Sequence, residues 1–496
     1  MRGLTLTLTL TLKLRLTLTL AAWLGLVSPA LPAPAAPANA AAPAVAPTLP
    51  PAAPVLPALP ALPALSTLPA LTAPTLPRSG LVAADLAVLV AEGDTTSEAI
   101  ALAYQQARGI PEANMVRVPV PGGSDVISEA AFGVLKAAID AKMPPNVQAT
   151  LVTWTQPSRV QGVCSMGITS ALALGFSASQ CGGCGRTAAS PYFDSDSSRP
   201  FTDLTIRLSM MLGAPTLVAA QALIARGVAA DGSQPGGTGY LLRTADAARS
   251  VRYPDWLALP GAWAGTPGLA LRYTDASVAP AAAGTGAPGP AQAISNQSDV
   301  LFYFTGLGAV PLLASNRFLP GAAADHLTSF GGLLPGANGQ MPATDWLAAG
   351  ATASYGTVEE PCNHTEKFPK ASVLIEHYLR GATLIEAYWK SVAWPGQGLF
   401  VGEPLARPWT QTPEAVIDGN ALVVSSRSLR RHGLYRVDFR PYGGTGWATL
   451  ATMTAGQPRP ITWRVPLPAD TAGGHLRWIG PCATQPSLLC VLAQSG

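Results

Sequence analysis

Charge is what this chain has least of. Only 12% of its 496 residues are Asp, Glu, Lys or Arg, against 48% hydrophobic, and from Leu16 to Pro77 there is no charged residue at all. The formal charge of +3 is matched by Arg2, Lys13 and Arg15 at the N-terminus; setting these aside leaves 28 basic residues against 28 acids. Phosphate backbones are bound through clustered cationic charge, so this balance excludes nucleic acid as a partner. Histidine is also scarce, with five in the chain, and cysteine is limited to six with a single CxxC. A structural zinc site of paired CxxC motifs is therefore absent. After the N-terminal segment no apolar run has the length of a membrane span.

What is present begins with a leader. The three basic residues precede LTLTLAAWLGLVSPALPA, an apolar run that ends in small residues, the pattern of a secretory signal. Residues 1–40 are assigned to it, with cleavage after Ala30 or after Ala38-Asn39-Ala40. Left uncleaved, the segment would tether the protein, although it is short of the about 20 residues that a full span needs. Residues 41–80 continue as a Pro/Ala/Leu linker; 15 of the 48 prolines lie between Pro29 and Pro77. Repeats of ALPALPAL favour extended polyproline conformations that hold a folded body away from its leader. Export predicts an oxidising compartment: periplasm, cell surface or extracellular space.

Six cysteines form an even set, which in an exported protein predicts disulfides. Cys482 and Cys490 are spaced to close a short C-terminal loop. A zinc site would need Cys164, Cys181 and Cys184 joined by Cys362 or His364, and export favours disulfides over it. CGGC lies in a Gly/Ser-rich loop and does not open a helix after a strand, which argues against a thioredoxin-like use. No metal and no cofactor is expected.

The folded part starts near residue 81. DLAVLVAE, MVRVPV and VQATLVTW read as strands, separated by helices at TTSEAIALAYQQAR, which Gly109 ends, and SEAAFGVLKAAIDAKM. Residues 156–213 break into a long Gly/Ser/Cys-rich excursion. APTLVAAQALIARG then predicts a helix stopped by Gly227. GTGYLLR, GLALRYTD and DVLFYFTGL follow as strands, and later come a strand near 322–329, a helix at ATDWLAAG, a strand at ATASYGTV, two helices meeting at Gly381, and a closing strand. Alternating strands and helices predict an α/β domain, a mostly parallel sheet flanked by helices, over residues 81–410. After Pro413 short alternating runs separated by turn residues predict a small all-β sandwich of Ig-like type over residues 411–496.

Residues 321–407 concentrate the capable side chains, with eight of the 28 acids and three of the five histidines in 87 positions. Open parallel sheets put their sites in the loops at strand carboxyl ends, so the loops after Phe304, Thr328 and Gly356 should be neighbours. They would present Ser329 or Cys362 as nucleophile, His326 or His364 as base, and Glu359 or Glu360 to orient the base. Phe330-Gly331-Gly332 offers backbone amides beside Ser329 for an oxyanion. The bland alternatives are a turn-capping Ser329, a disulfide-bonded Cys362, a core or loop His326 and a solvated Glu359-Glu360 turn. Glu386 and Lys390, four apart on a helix, predict a surface ion pair. Gly402-Glu403-Pro404 predicts a rigid architectural element, and Asn363-His364-Thr365 matches a glycosylation sequon.

RGIPEANMVRVPVP, GAAADHLTSFGG, GATASYGTVEEPCNH, KFP, LIEAYWKSV and GQGLFVGEPLARP, in that order, resemble a family of uncharacterised exported bacterial proteins associated with exosortase-type sorting systems. The resemblance covers residues 81–408 and implies location and context, not an activity. A more distant likeness is to the gingipain branch of caspase-like cysteine peptidases, which pair a parallel-sheet catalytic domain with an Ig-like domain. In that fold His-Gly ends one strand and Cys the next; here Thr305-Gly306 and Thr328-Ser329 stand at those places. The resemblance thus implies a non-catalytic or diverged caspase/gingipain-like scaffold at the cell envelope, whose partner is an exported protein or a surface polymer. The alternative is a peptidase-like hydrolase that uses Ser329 or Cys362.

Overall fold

The computed structural model describes residues 71–277, 291–336, 339–456, 458–469 and 473–481. The leader, most of the linker, most of the AAAGTGAPGPAQ loop and the Cys482/Cys490 pair lie outside them.

The first half of the chain builds β1 (Leu86–Ala91), α1 (Thr95–Arg108), β2 (Met115–Val118), β3 (Val126–Ser128), α2 (Glu129–Lys142) and β4 (Ala149–Val152). The excursion follows as β5 (Arg159–Gln161), β6 (Ser165–Gly167), α3 (Ile168–Leu174) and α4 (Pro200–Leu204), leading into β7 (Leu208–Met211) and α5 (Leu217–Ala230). Local signals set the helix ends. Asp94 accepts from the amides of Thr96 and Ser97 at the start of α1, and Gly109 ends it at φ 64°. Gly227, expected to stop α5, instead lies inside it. A Cβ there would stand 2.3 Å from Glu403 Oε2, so this glycine serves close packing and the helix runs on to Ala230.

The second half builds β8 (Gly237–Arg243), α6 (Tyr253–Leu257), α7 (Leu259–Ala262), β9 (Leu269–Asp275), β10 (Val300–Thr305), β11 (Phe318–His326), α8 (Thr344–Ala349), β12 (Ala353–Thr357), α9 (Ala371–Leu379), α10 (Leu384–Ser391) and β13 (Gly398–Gly402). β11 starts four residues before its expected position and ends at His326, three short of Ser329.

Ten of these thirteen strands join one sheet in the order β2-β1-β4-β7-β13-β12-β11-β10-β8-β9, and β3, β5 and β6 form a small separate one. The five strands on the β2 side run parallel to one another, as do the five on the β9 side. The two sets meet antiparallel at β12 and β13 over five residue pairs, from Ala353 opposite Gly402 to Thr357 opposite Gly398. In each set the first strand in sequence lies between the second and third, so each half has a point where the strand order reverses. Covered on both faces, the strands read as near-continuous apolar runs: all six residues of β1 and of β10 are buried.

The antiparallel seam decides where the excursion goes. β7 runs with β13 and against β12, so the chain entering β7 lies at the edge where β12 ends. The CGGC segment therefore reaches the loop after β12, where Gly182 N donates to Glu359 and Cys184 is bonded to Cys362. Glycines allow the seam its closeness: a Cβ on Gly398 would meet the Tyr355 ring at 2.3 Å, and one on Gly402 would meet Ala353 at 2.5 Å.

Six further strands, β14 (Glu414–Asp418), β15 (Ala421–Ser426), β16 (Leu434–Pro441), β17 (Ala448–Thr454), β18 (Ile461–Pro466) and β19 (Gly474–Ile479), form two antiparallel three-stranded sheets, β14-β15-β18 and β17-β16-β19. They share a core of Leu422, Val424, Val437, Phe439, Val465 and Leu476. Leu71, Ala73 and Leu76 pack on it and Thr72 bridges His475, so the end of the predicted linker is part of this core. Among the described residues no helix is long and apolar enough to cross a membrane.

Glu403, fully buried at the end of β13, accepts Tyr104 Oη at 2.6 Å and Arg108 Nε at 2.9 Å, with Arg108 Nη2 on its other oxygen. The GEP element is thus the anchor of α1. Arg108 also pairs through Nη1 with the more exposed Asp231, so removing Glu403 takes away the buried one of its two carboxylates and the acceptor of Tyr104. Glu403→Ala is expected to cost about 3 kcal/mol in denaturant unfolding; a loss below about 1 kcal/mol would mean that Asp231 and water suffice for Arg108.

Candidate functional site

β10, β11 and β12 are adjacent and parallel, so their carboxyl ends do lie together as the spacing predicts. Arg252, in the loop after β8, ties them. Its guanidinium pairs with Asp325 on β11, donates through Nη2 to Thr305 O at 2.9 Å at the end of β10, and through Nη1 to Pro369 O at 3.2 Å before α9. Both side chains are buried, at 3% and 0% exposure. Burial pushes the Asp325 carboxyl up and the guanidinium opposes this. Sequence reasoning passed over Arg252; its signal was an arginine pair, Arg249 and Arg252, just after a strand's carboxyl end.

His326 cannot act as a base in this setting. It is 1% exposed, its Nδ1 accepts from Trp346 Nε1 at 3.0 Å, and its Nε2 lies 3.0 Å from Met341 O. An indole N–H only donates and a carbonyl only accepts, so the proton sits on Nε2 and no lone pair is left over. Burial, with Arg252 and Arg249 adding to it, lowers its pKa to about 3.

Ser329 lies three residues past the end of β11 and is half-buried. Its hydroxyl makes no hydrogen bond among the described residues, while its carbonyl accepts from Thr357 Oγ1 at 2.9 Å. Two of the three amides expected to hold an oxyanion are spoken for: Phe330 N donates to Gln340 Oε1 at 2.8 Å and Gly332 N to Thr357 O at 2.9 Å, while Gly331 N makes no hydrogen bond among the described residues. The glycines are there for contact, since a Cβ on Gly332 would stand 2.5 Å from Gly356 O.

Glu359, Glu360, Cys362 and His364 gather in a second group, in the loop after β12 and against the CGGC segment. Cys362 Sγ is bonded to Cys184, and Cys164 to Cys181, so CGGC is split between two disulfides and Cys362 has no thiol to offer. The four sulfurs do not fall into a single ligand cluster. Glu359 Oε2 accepts from Gly182 N at 3.1 Å and Gln397 Nε2 at 3.0 Å; Glu360 Oε1 accepts from Cys362 N at 2.9 Å. His364 Nε2 donates to Cys184 O at 2.7 Å. Neither glutamate orients a histidine. Lys367, buried beside them, donates to Gly183 O; burial lowers its pKa to about 8 against the pull of Glu359 and Glu360. Asn363 of the sequon is exposed.

Glu386 and Lys390 are not a surface pair. They are 1% and 3% exposed and point to different partners: Glu386 Oε2 accepts from Thr383 N at 2.9 Å and Leu81 N at 3.0 Å, and Lys390 Nζ donates to Ser195 O and Ser197 O at 2.6 and 2.7 Å. α10 faces inward on all sides, buried between the sheet and the excursion, which helical spacing alone does not reveal.

Two cavities flank these groups. One, of about 330 Å³, lies beside Arg252 and Asp255 and is walled by Trp256, Phe368 and Pro369. The other, of about 310 Å³, lies between α9, α10 and the β-sandwich, with His377, Arg380 and Asp196 on its wall. His377 Nε2 is 2.9 Å from Asp194 Oδ1, its Nδ1 faces Arg380 Nη1 at 3.4 Å, and burial lowers its pKa to about 3.

Compared with models of protein families, with curated proteins and with solved structures, the chain matches none. The two disulfides belong to an oxidising, extracytoplasmic environment.

His326 and His377 stay neutral in the fold at pH values where the unfolded chain, with histidines near 6.5, is protonated. The unfolded state therefore binds more protons between about pH 6.5 and 3, and stability falls as pH drops through that window. By pH 5 the loss should be roughly 2 kcal/mol per histidine, read as a falling thermal midpoint. His326→Gln should flatten the curve; an unchanged slope would contradict the assigned neutral state.

Proposed function

We propose that the protein is an exported, non-catalytic binding scaffold of the cell envelope, with a caspase/gingipain-like α/β body followed by an Ig-like domain. One observation carries this: the Cys362 thiol, the His326 base and two of the three amides beside Ser329 are committed elsewhere. The Cys362 sulfur is in a disulfide, both nitrogens of His326 are bonded, and the amides of Phe330 and Gly332 are taken. A serine hydroxyl without a base is a poor nucleophile at neutral pH. Support for the fold likeness comes from β10 and β11 ending side by side at Thr305-Gly306 and, just beyond His326, at Thr328-Ser329. Held by the Arg252 contacts and by the Cys184–Cys362 disulfide, these loops make an edge against which an exported protein or a surface polymer can rest.

The test is exposure of the purified protein to a serine-directed fluorophosphonate and, separately, to a thiol alkylator without reductant, followed by intact-mass analysis. No adduct at Ser329 or Cys362 is expected. A stoichiometric adduct confined to either residue and abolished by His326→Ala or His364→Ala, in variants shown to keep their melting temperature, would overturn the proposal in favour of a hydrolase.

A further inference from the structure

The adjacent acids Glu359 and Glu360 each stand beside a different disulfide. Cys164, Cys181 and Glu359 form one cluster and Cys184, Cys362 and Glu360 another, with the ligand atoms of each within 4.8 Å of one another. The clusters differ in what they leave free. Cys164 and Cys181 are 6% and 5% exposed, and Glu359 already accepts from Gly182 and Gln397. Cys184 is exposed, Cys362 and Glu360 are half-exposed, and Glu360 uses one oxygen, for Cys362 N. His364, two residues on, holds Cys184 O through Nε2 and keeps Nδ1 free of hydrogen bonds among the described residues.

We infer that the Cys184–Cys362 staple is convertible: oxidised it is a disulfide, and reduced it is a site for one zinc ion held by Cys184, Cys362 and Glu360, with solvent as fourth ligand. Tetrahedral zinc with sulfur ligands at about 2.3 Å and oxygen at about 2.1 Å spaces its ligand atoms about 3.4 to 3.8 Å apart, which the cluster reaches once the sulfur–sulfur bond is opened. The conversion balances. A dithiol reductant gives two electrons and two protons to the disulfide and is itself oxidised to a disulfide; zinc then displaces both thiol protons to solvent. Two thiolates and a carboxylate around a divalent ion leave one negative charge, and Lys367 stands beside Glu360 to balance it. The same two loops, residues 181–185 and 358–367, stay joined in either state.

The test uses the full chain, reduced with a phosphine and titrated with cobalt(II) as the spectroscopic stand-in for zinc. One cobalt per chain, with tetrahedral ligand-field bands and a thiolate charge-transfer band, is expected after reduction and not before it. Glu360→Gln should weaken the affinity by more than about tenfold, the double variant Cys184→Ser, Cys362→Ser should abolish uptake, and Cys164→Ser, Cys181→Ser should retain it. Far-UV circular dichroism of each sample reports folding. Uptake that survives loss of Cys184 and Cys362, no uptake by folded reduced protein, or unfolding of the reduced protein in the presence of zinc would each overturn the inference.

Discussion

Everything at the working edge of this protein depends on the antiparallel contact between β12 and β13. Two five-stranded parallel sets, each with its own point of strand-order reversal, would otherwise be separate α/β units. Their union at one seam reverses the sense of the sheet, so the chain feeding β7 arrives at the edge where β10, β11 and β12 deliver their loops. The seam is narrow because glycine permits it: Gly398 and Gly402 sit where a side chain would collide with Tyr355 or with Ala353. Trp389 stacks on Phe400 at 4.2 Å between ring centroids and locks α10 over the seam.

From that geometry follows the chemistry of the edge. Charged groups brought into a low-dielectric interior must be paired, and here they are paired across elements distant in sequence. Arg252 joins the ends of β10 and β11 to the segment before α9, Glu403 joins β13 to α1, and Arg430 and Arg380 reach Asp194 and Asp196 from the β-sandwich and α9. These contacts hold the β-sandwich, the excursion and the α/β body as one.

Much of the architecture was legible in the sequence because periodicity and end signals are local. The strands and helices from Leu86 to Gly402 fall close to their predicted places, and the alternating runs after Pro413 form antiparallel strands as their period implies. What escaped is what depends on neighbours far along the chain. Gly227 looks like a helix stop until Glu403 is seen against it. Glu386 and Lys390 look like a surface pair until the excursion is seen to cover α10. Ser329 with Phe330, Gly331 and Gly332 reads as a nucleophile and its amides, whereas Gln340 and Thr357 occupy the amides of Phe330 and Gly332. The even cysteine count predicted disulfides, but which sulfur faces which was set by the seam and not by spacing, and Arg252 carried too little local pattern to be singled out.

The most direct test of this account is a peptide map of the unreduced protein by mass spectrometry, with thiols blocked before digestion. It predicts linked peptides joining Cys164 to Cys181 and Cys184 to Cys362, the second spanning the excursion and the loop after β12. A Cys181–Cys184 link within CGGC, or Cys362 recovered as a blocked thiol, would contradict both the placement of the excursion at this edge and the commitment of Cys362 on which the non-catalytic assignment rests.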